Sequence, residues 1–219
     1  MSIKEKPFFC SWSGGKDACL AYYRAVKEGG LPRYLLTIME DSQRSKSHHL
    51  PVELLKKQAK ALGVPLISKI AAWDAYEEVF ITALQEFKSQ GIAAGVFGDI
   101  DLEGHREWVE RVCAETGLQA FEPLWQDARM DLLREFIREG FQAVVVAVKE
   151  QALEKEILGR TLDLELIRTF EKRGVDPSGE EGEYHTVVLD GPIFSEGVKI
   201  ELKEQTYQNG YWFQNISVL

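Results

Sequence analysis

Phe8-Phe9-Cys10-Ser11-Trp12-Ser13-Gly14-Gly15-Lys16-Asp17-Ala18 is the stretch on which the reading of the fold turns. A short apolar run stops at two adjacent glycines, and behind them Ala18, Ala21, Tyr22 and Ala25 recur at helical spacing until Gly29-Gly30. Strand, tight turn and helix in that order open an α/β unit. The glycines allow a sharp turn and bring backbone N–H groups close to an anion, while the helix aims its N-terminal dipole at the same point. Ser13 adds a hydroxyl and Lys16 a point charge suited to phosphate oxygens. Asp17 suits a Mg²⁺ that travels with a nucleotide, since magnesium takes one or two carboxylates plus phosphate oxygens.

Working outward, Tyr34–Met39, Pro65–Ile70, Ala94–Gly98 and Ala143–Val148 are apolar runs without polar alternation. Helical patterns separate them: Pro51–Leu62, Asp74–Gln90, Glu103–Thr116 and Met130–Glu139. Such strands predict a parallel sheet covered on both faces. From about Leu153 the rhythm changes. Asp163–Arg173 reads as a helix, Val175–Glu183 as a loop, and Thr186–Leu189, Val198–Gln205 and Tyr211–Ser217 as strands, with Asn209-Gly210 marking a hairpin. The expected division is residues 1–150 for an α/β domain and 151–219 for a smaller C-terminal α+β element. An unpaired strand edge in that element is where a homodimer would form.

The 219 residues carry 26 Lys+Arg against 35 Asp+Glu, a net charge of −9. That balance argues against nucleic acid as the main partner, because a wide phosphate-gripping face needs the opposite sign. No apolar run is long enough to span a bilayer, and the N-terminal residues lack the apolar core of a signal peptide. Cys10, Cys19 and Cys113 are odd in number and unpaired in spacing, which fits reduced thiols and a cytoplasmic setting rather than disulfides or a cysteine zinc site.

The loop is neither a Walker A motif nor the dinucleotide fingerprint. It resembles the pyrophosphate loop of the adenine-nucleotide α-hydrolase-like superfamily, a Rossmann-like, HUP-type fold whose members cleave ATP between the α and β phosphates. Phe97-Gly98-Asp99-Ile100, Glu110-Arg111-Val112-Cys113 and Pro123-Leu124-Trp125 narrow the likeness to the diphthine–ammonia ligase family. Gly179-Glu180-Glu181-Gly182-Glu183-Tyr184-His185-Thr186, with Leu189-Asp190-Gly191-Pro192, resembles that family's late acidic signature. The likeness implies an ATP- and Mg²⁺-dependent ligase that adenylates a carboxylate, releases pyrophosphate and transfers ammonia. Diphthine on elongation factor 2 is the implied acceptor.

The implied nucleotide contacts are Ser11, Ser13, Gly14, Gly15, Lys16, Asp17, His48 and Gly98, with Asp17 as the magnesium ligand. Lys16, Asp17, Asp99 and Glu183 are the implied catalytic residues. Asp99 could hold a cation or the substrate amine, or cap the helix that follows. Arg106 and Arg111 could neutralise phosphate or a substrate carboxylate, or be solvated. His48 lies in a Ser-His-Gly-Leu-like segment with His49 at the glycine position. Glu180, Tyr184 and Thr186 would face the substrate, and Glu183 the substrate or a metal, from a loop folded over the site, with Thr186 as a hydroxyl donor and Glu181 toward solvent. Two other readings keep the loop: a pyrophosphate-loop enzyme acting on another acceptor such as tRNA, and a nucleotide-sensing module without turnover.

Overall fold

The structure, a computed structural model, describes residues 2–46 and 48–219. In chain order the elements are β1 (Pro7–Ser11), α1 (Lys16–Lys27), β2 (Leu31–Met39), α2 (Val52–Leu62), β3 (Leu66–Ile70), α3 (Tyr76–Ser89), β4 (Ala94–Val96) and α4 (Glu103–Glu115). Then come β5 (Gln119–Phe121), α5 (Arg129–Arg138), β6 (Gln142–Lys149), a short 3₁₀ turn, α6 (Leu164–Lys172), β7 (Tyr184–Asp190), β8 (Ile200–Gln208) and β9 (Tyr211–Val218). The chain divides into two compact units. The first holds the chain up to Ser13, Asp17–Lys46 and Gly63–Asp127; the second holds Gly14–Lys16, residues 48–62 and Ala128–Leu219.

In the first unit five parallel strands lie in the order β3-β2-β1-β4-β5. The order reverses between β1 and β4, and open sheets of this kind bind ligands outside the carboxyl ends of the strands at that point. Consecutive residues of β1 serve opposite faces. Phe9 packs among Phe80 and Phe87 of α3 and Phe97, with ring centroids 6.4, 5.1 and 5.8 Å away, and Phe8 sets its edge on Tyr22 of α1 at 5.9 Å. Leu36, Ile38, Leu84, Val109 and Val112 complete the core beneath α3 and α4.

The second unit is built on an antiparallel sheet in the order β7-β6-β9-β8. Asn209 (φ 52°) and Gly210 (φ 84°) make the tight turn between β8 and β9, where Gln208 faces Tyr211. Both residues lie in the left-handed region that a two-residue hairpin of this twist requires.

Two expectations are corrected. Ala143–Val148 belongs to β6, the strand joining β7 and β9 in the antiparallel sheet, and not to the parallel one. A continuous apolar run reports burial on both faces, which a central antiparallel strand also has. Pro51–Leu62, expected as a cover of the parallel sheet, belongs as α2 to the second compact unit, whose long segment begins at Ala128. The fifth parallel strand is β5, three half-buried residues at the sheet edge with no apolar run to announce them. No helix of the described residues is long and apolar enough to cross a membrane.

Phe9 is fully buried on three other aromatic rings. Phe9→Ala should lower stability in urea unfolding by about 3–5 kcal/mol. A loss below about 1 kcal/mol would mean the core does not centre on β1.

Candidate active site

The middle of the glycine loop is fixed inside the second unit. Gly14 has φ +81°, a conformation that costs glycine nothing, and a Cβ there would lie 2.8 Å from Gln58 Oε1 and 2.9 Å from Leu55 Cδ2. Its carbonyl accepts from the Val188 N–H (2.9 Å) and from Gln58 Nε2 (3.0 Å). The same Gln58 nitrogen donates to the Val188 carbonyl at 2.7 Å. Two residues on, the Lys16 N–H donates to Thr186 Oγ1 at 3.1 Å. Thus α2 and β7 hold the loop by its backbone, and Thr186 Oγ1 accepts from the loop while keeping its own hydrogen to donate. Gln58 was missed in the sequence, where a glutamine on an amphipathic helix carries no distinguishing signal.

Lys16 is only 7% exposed, and its ammonium stands 5.5 Å from the centre of the Tyr184 ring. Tyr184 is buried, packs on Phe170 of α6 at 5.0 Å and donates its phenol hydrogen to the Pro177 carbonyl at 2.6 Å. What Tyr184 turns toward Lys16 is therefore its ring face. His48 and His185 stack at 4.6 Å. Nδ1 of His48 lies 3.0 Å from the Thr186 carbonyl, an acceptor, so that nitrogen carries the hydrogen. Burial, the neighbouring His185 and the charge of Lys16 hold His48 well below the usual imidazole range. Burial and then Lys16 bring His185 down to about 4. Both rings are neutral at pH 7. His49 has φ +55° and packs on Phe213 at 5.0 Å, so the backbone at this position has the left-handed form that favours glycine. Ser47 of the same segment lies outside the described residues.

The acidic loop is organised by Asp176, which the sequence reading passed over. Its carboxylate accepts from the Ser178 N–H (3.1 Å) and hydroxyl (2.8 Å) and the Glu180 N–H (3.0 Å), and pairs with Arg129 at 2.7 Å. Burial alone would raise its pKa, but these bonds and the arginine outweigh it and hold the carboxyl below its usual value. Asp-Pro-Ser-Gly is an Asx-turn composition, and that was the available signal. Glu183 turns back on the same loop, its Oε2 accepting from the Glu181 N–H at 3.0 Å.

The first unit carries the ends of the glycine loop. Ser11 closes β1, and Ser13 and Asp17 are half-buried, Asp17 in the first turn of α1. Beside β1, the end of β4 presses on this turn: a Cβ at Gly98 would lie 2.8 Å from the Asp17 carbonyl carbon, so only glycine allows the approach. Asp99 follows, with Oδ1 3.3 Å from His105 Nδ1. It does not cap α4, whose N-cap position is Leu102. Arg106 pairs with Glu110 (2.9 Å) and lies 4.7 Å over the Trp125 ring. Arg111 is held by Glu77 of α3 through two bonds, 2.9 and 2.6 Å, and is not gathered with the loop residues. Among the described residues no group of three or more His, Cys, Asp or Glu could hold a metal ion.

Taken unit by unit, the second brings Gly14, Gly15 and Lys16 together with His48, Tyr184 and Thr186, and the first sets Asp17 against Gly98 with Asp99 next in sequence. A buried ammonium beside neutral imidazoles, at the start of a helix, is an arrangement that receives a phosphate-rich anion.

Residues 8–120 match the family model for the diphthamide synthase N-terminal domain, and residues 128–218 that for the diphthamide synthase C-terminal domain. The second match begins at Ala128, as does the long segment of the second unit. The chain is 35% identical to the human diphthine–ammonia ligase and 28% identical to that of Rattus norvegicus. In each case the match covers 94% of this chain and 87% of the relative. Among solved structures, a predicted subunit of tRNA methyltransferase from Methanocaldococcus jannaschii is similar at 18% identity and a TM-score of 0.48, over 85% of this chain and 97% of that one.

The histidine pair sets a pH dependence with a definite sign. His185 titrates near 4 when folded and near 6.5 when unfolded, so between those values the unfolded chain binds more protons. Its contribution should weaken stability as pH falls through that window and be constant above it. The difference in unfolding free energy between wild type and His185→Gln should therefore shift in favour of the variant from pH 7 to pH 4. A difference independent of pH would show that the ring is not held neutral.

Proposed function

The chain belongs to the diphthamide synthase family, and on that premise we propose that it is an ATP-dependent ligase that joins ammonia to a carboxylate as an amide. The single observation that carries this reading is the buried Lys16 on a backbone held by Thr186 and Val188. The nucleotide loop and the acidic signature specific to the family are thereby one structure within the second unit.

ATP lies with its triphosphate against Gly14–Lys16. The acceptor carboxylate attacks the α-phosphorus, the bond to the departing pyrophosphate breaks, and an acyl-adenylate forms. Ammonia then attacks the acyl carbon and AMP leaves. Lys16 and the loop N–H groups offset charge that builds on the phosphate oxygens, which lowers the barrier most when the donors are already fixed. The neutral histidines contribute no charge of their own, and the one ring hydrogen of His48 goes to the Thr186 carbonyl. Asp17 is the side chain that would hold the Mg²⁺, which supplies further neutralisation of the phosphates. One carboxylate suits an ion that takes its other ligands from phosphate and water. Since the relatives are diphthine–ammonia ligases, the acceptor is diphthine on elongation factor 2, and the second unit supplies its recognition.

Incubation with Mg-ATP, ammonium and elongation factor 2 bearing diphthine should yield AMP, pyrophosphate and an amidated factor in equal amounts. Failure to form AMP and pyrophosphate with that factor or any other carboxylate acceptor would overturn the ligase reading. Asp17→Asn should cut turnover by about 10²- to 10³-fold while leaving the urea midpoint unchanged.

A further inference from the structure

Gln58 of α2 is fully buried, a rare place for a glutamine. Its amide nitrogen gives one hydrogen to the Gly14 carbonyl at 3.0 Å and the other to the Val188 carbonyl at 2.7 Å. Both neighbours are acceptors, so the nitrogen is the end of the amide that faces them. The Gly14 carbonyl takes a second donor, the Val188 N–H at 2.9 Å, which fills its two lone pairs. One side chain within the second unit thus joins α2, the glycine loop and β7.

The peptide held in this way is the one between Gly14 and Gly15. A trans peptide is planar, with its C=O and N–H pointing to opposite sides. Fixing the Gly14 carbonyl toward Gln58 and Val188 therefore turns the Gly15 N–H away from them. With no Cβ on either side, a Gly-Gly peptide resists rotation less than any other. Rotated by half a turn, it would present its carbonyl where it had presented its N–H, and an anion drawn to the first arrangement is repelled by the second. The N–H of Lys16 is already given to Thr186 Oγ1 at 3.1 Å, so the orientation of the Gly14–Gly15 peptide weighs heavily in what the loop offers a phosphate.

We propose that Gln58 is a positioning residue for the triphosphate. It acts through the Gly14 carbonyl rather than on the nucleotide, and keeps the Gly15 N–H turned toward the anion. This rests on the ligase reading above, which puts ATP on this loop, and adds the residue that holds the loop in its receptive form. Without the amide the Gly14 carbonyl keeps one donor in place of two, and the receptive form becomes a smaller fraction of the folded protein.

Gln58→Met keeps the length of the side chain and removes the donor. Its Kd for inorganic pyrophosphate and for Mg-ATP, measured by isothermal titration, should rise about ten- to a hundredfold. Its affinity for adenosine, which has no phosphate, should match that of wild type in an NMR titration. Unchanged affinity for pyrophosphate would overturn the proposal. Equal losses for ATP and adenosine would also overturn it, because Gln58 would then act by packing alone.

Gln58→Glu gives a second test that is independent of how well the methionine variant folds. Protonated, the carboxyl has one hydrogen for a carbonyl; ionised, it has none and repels both. The variant's Kd for pyrophosphate is divided by that of wild type at each pH, so that titration of the anion and of Lys16, His48 and His185 cancels. That ratio should climb as pH rises from 6 to 9 and the carboxyl loses its proton. A flat ratio would overturn the proposal. Pyrophosphate binding with this dependence on residue 58, in a protein that forms no AMP with any acceptor, would instead overturn the ligase reading and leave the role of Gln58 standing.

Discussion

Lys16 N–H to Thr186 Oγ1, with the two bonds received by the Gly14 carbonyl, is the interaction set on which the site depends. A glycine turn left to itself samples many conformations, and the one seen here requires φ +81° at Gly14. Each buried backbone group that lost its partner would cost about 1–3 kcal/mol, so α2 and β7 hold this loop firmly once they are in place. The fixed backbone also determines where the Lys16 side chain goes. It enters a nearly closed environment formed by Tyr184 and the histidine pair.

Much of this was legible in the chain because the signals are local. An apolar run, two glycines and a helical repeat are enough to place β1, the loop and α1, and Asn209-Gly210 is enough to place the β8–β9 hairpin. What escaped was set by distant partners. The run Ala143–Val148 records that β6 is covered, and nothing within it records the direction of its neighbours. β5 is a strand only because it pairs with β4 from Gln119 to Phe121, and three residues carry no period of their own. Gln58 looks like any helix surface residue until its amide is found bridging two carbonyls. Arg106 and Arg111 had equal standing as isolated cations, and the structure separates them through Glu77 and Trp125.

The acidic signature shows how a motif can be functional without every acidic group addressing a ligand. Asp176, four residues before Glu180, gathers N–H groups and Arg129, and the Tyr184 hydroxyl ties the same loop at Pro177. Within that frame Glu183 folds back on Glu181, and Thr186 holds the phosphate loop. The motif's residue types therefore answer first to the shape of a turn, and through that shape to the chemistry.

The net charge of −9 reads differently once its carboxylates are placed. Within the second unit the groups around the loop are a buried cation and two imidazoles kept neutral, and in the first unit Asp17 lies in the first turn of α1 while Asp99 and Glu122 follow β4 and β5. Transfer of an acyl group from a phosphate to ammonia makes opposite electrostatic demands at its two ends. Phosphate oxygens call for positive charge and fixed N–H donors, while an incoming ammonium must be attracted and then stripped of a proton. A uniformly basic pocket would serve the first demand and repel the second. Lys16 is a local, buried cation, whereas the surface excess of negative charge is screened within about 10 Å.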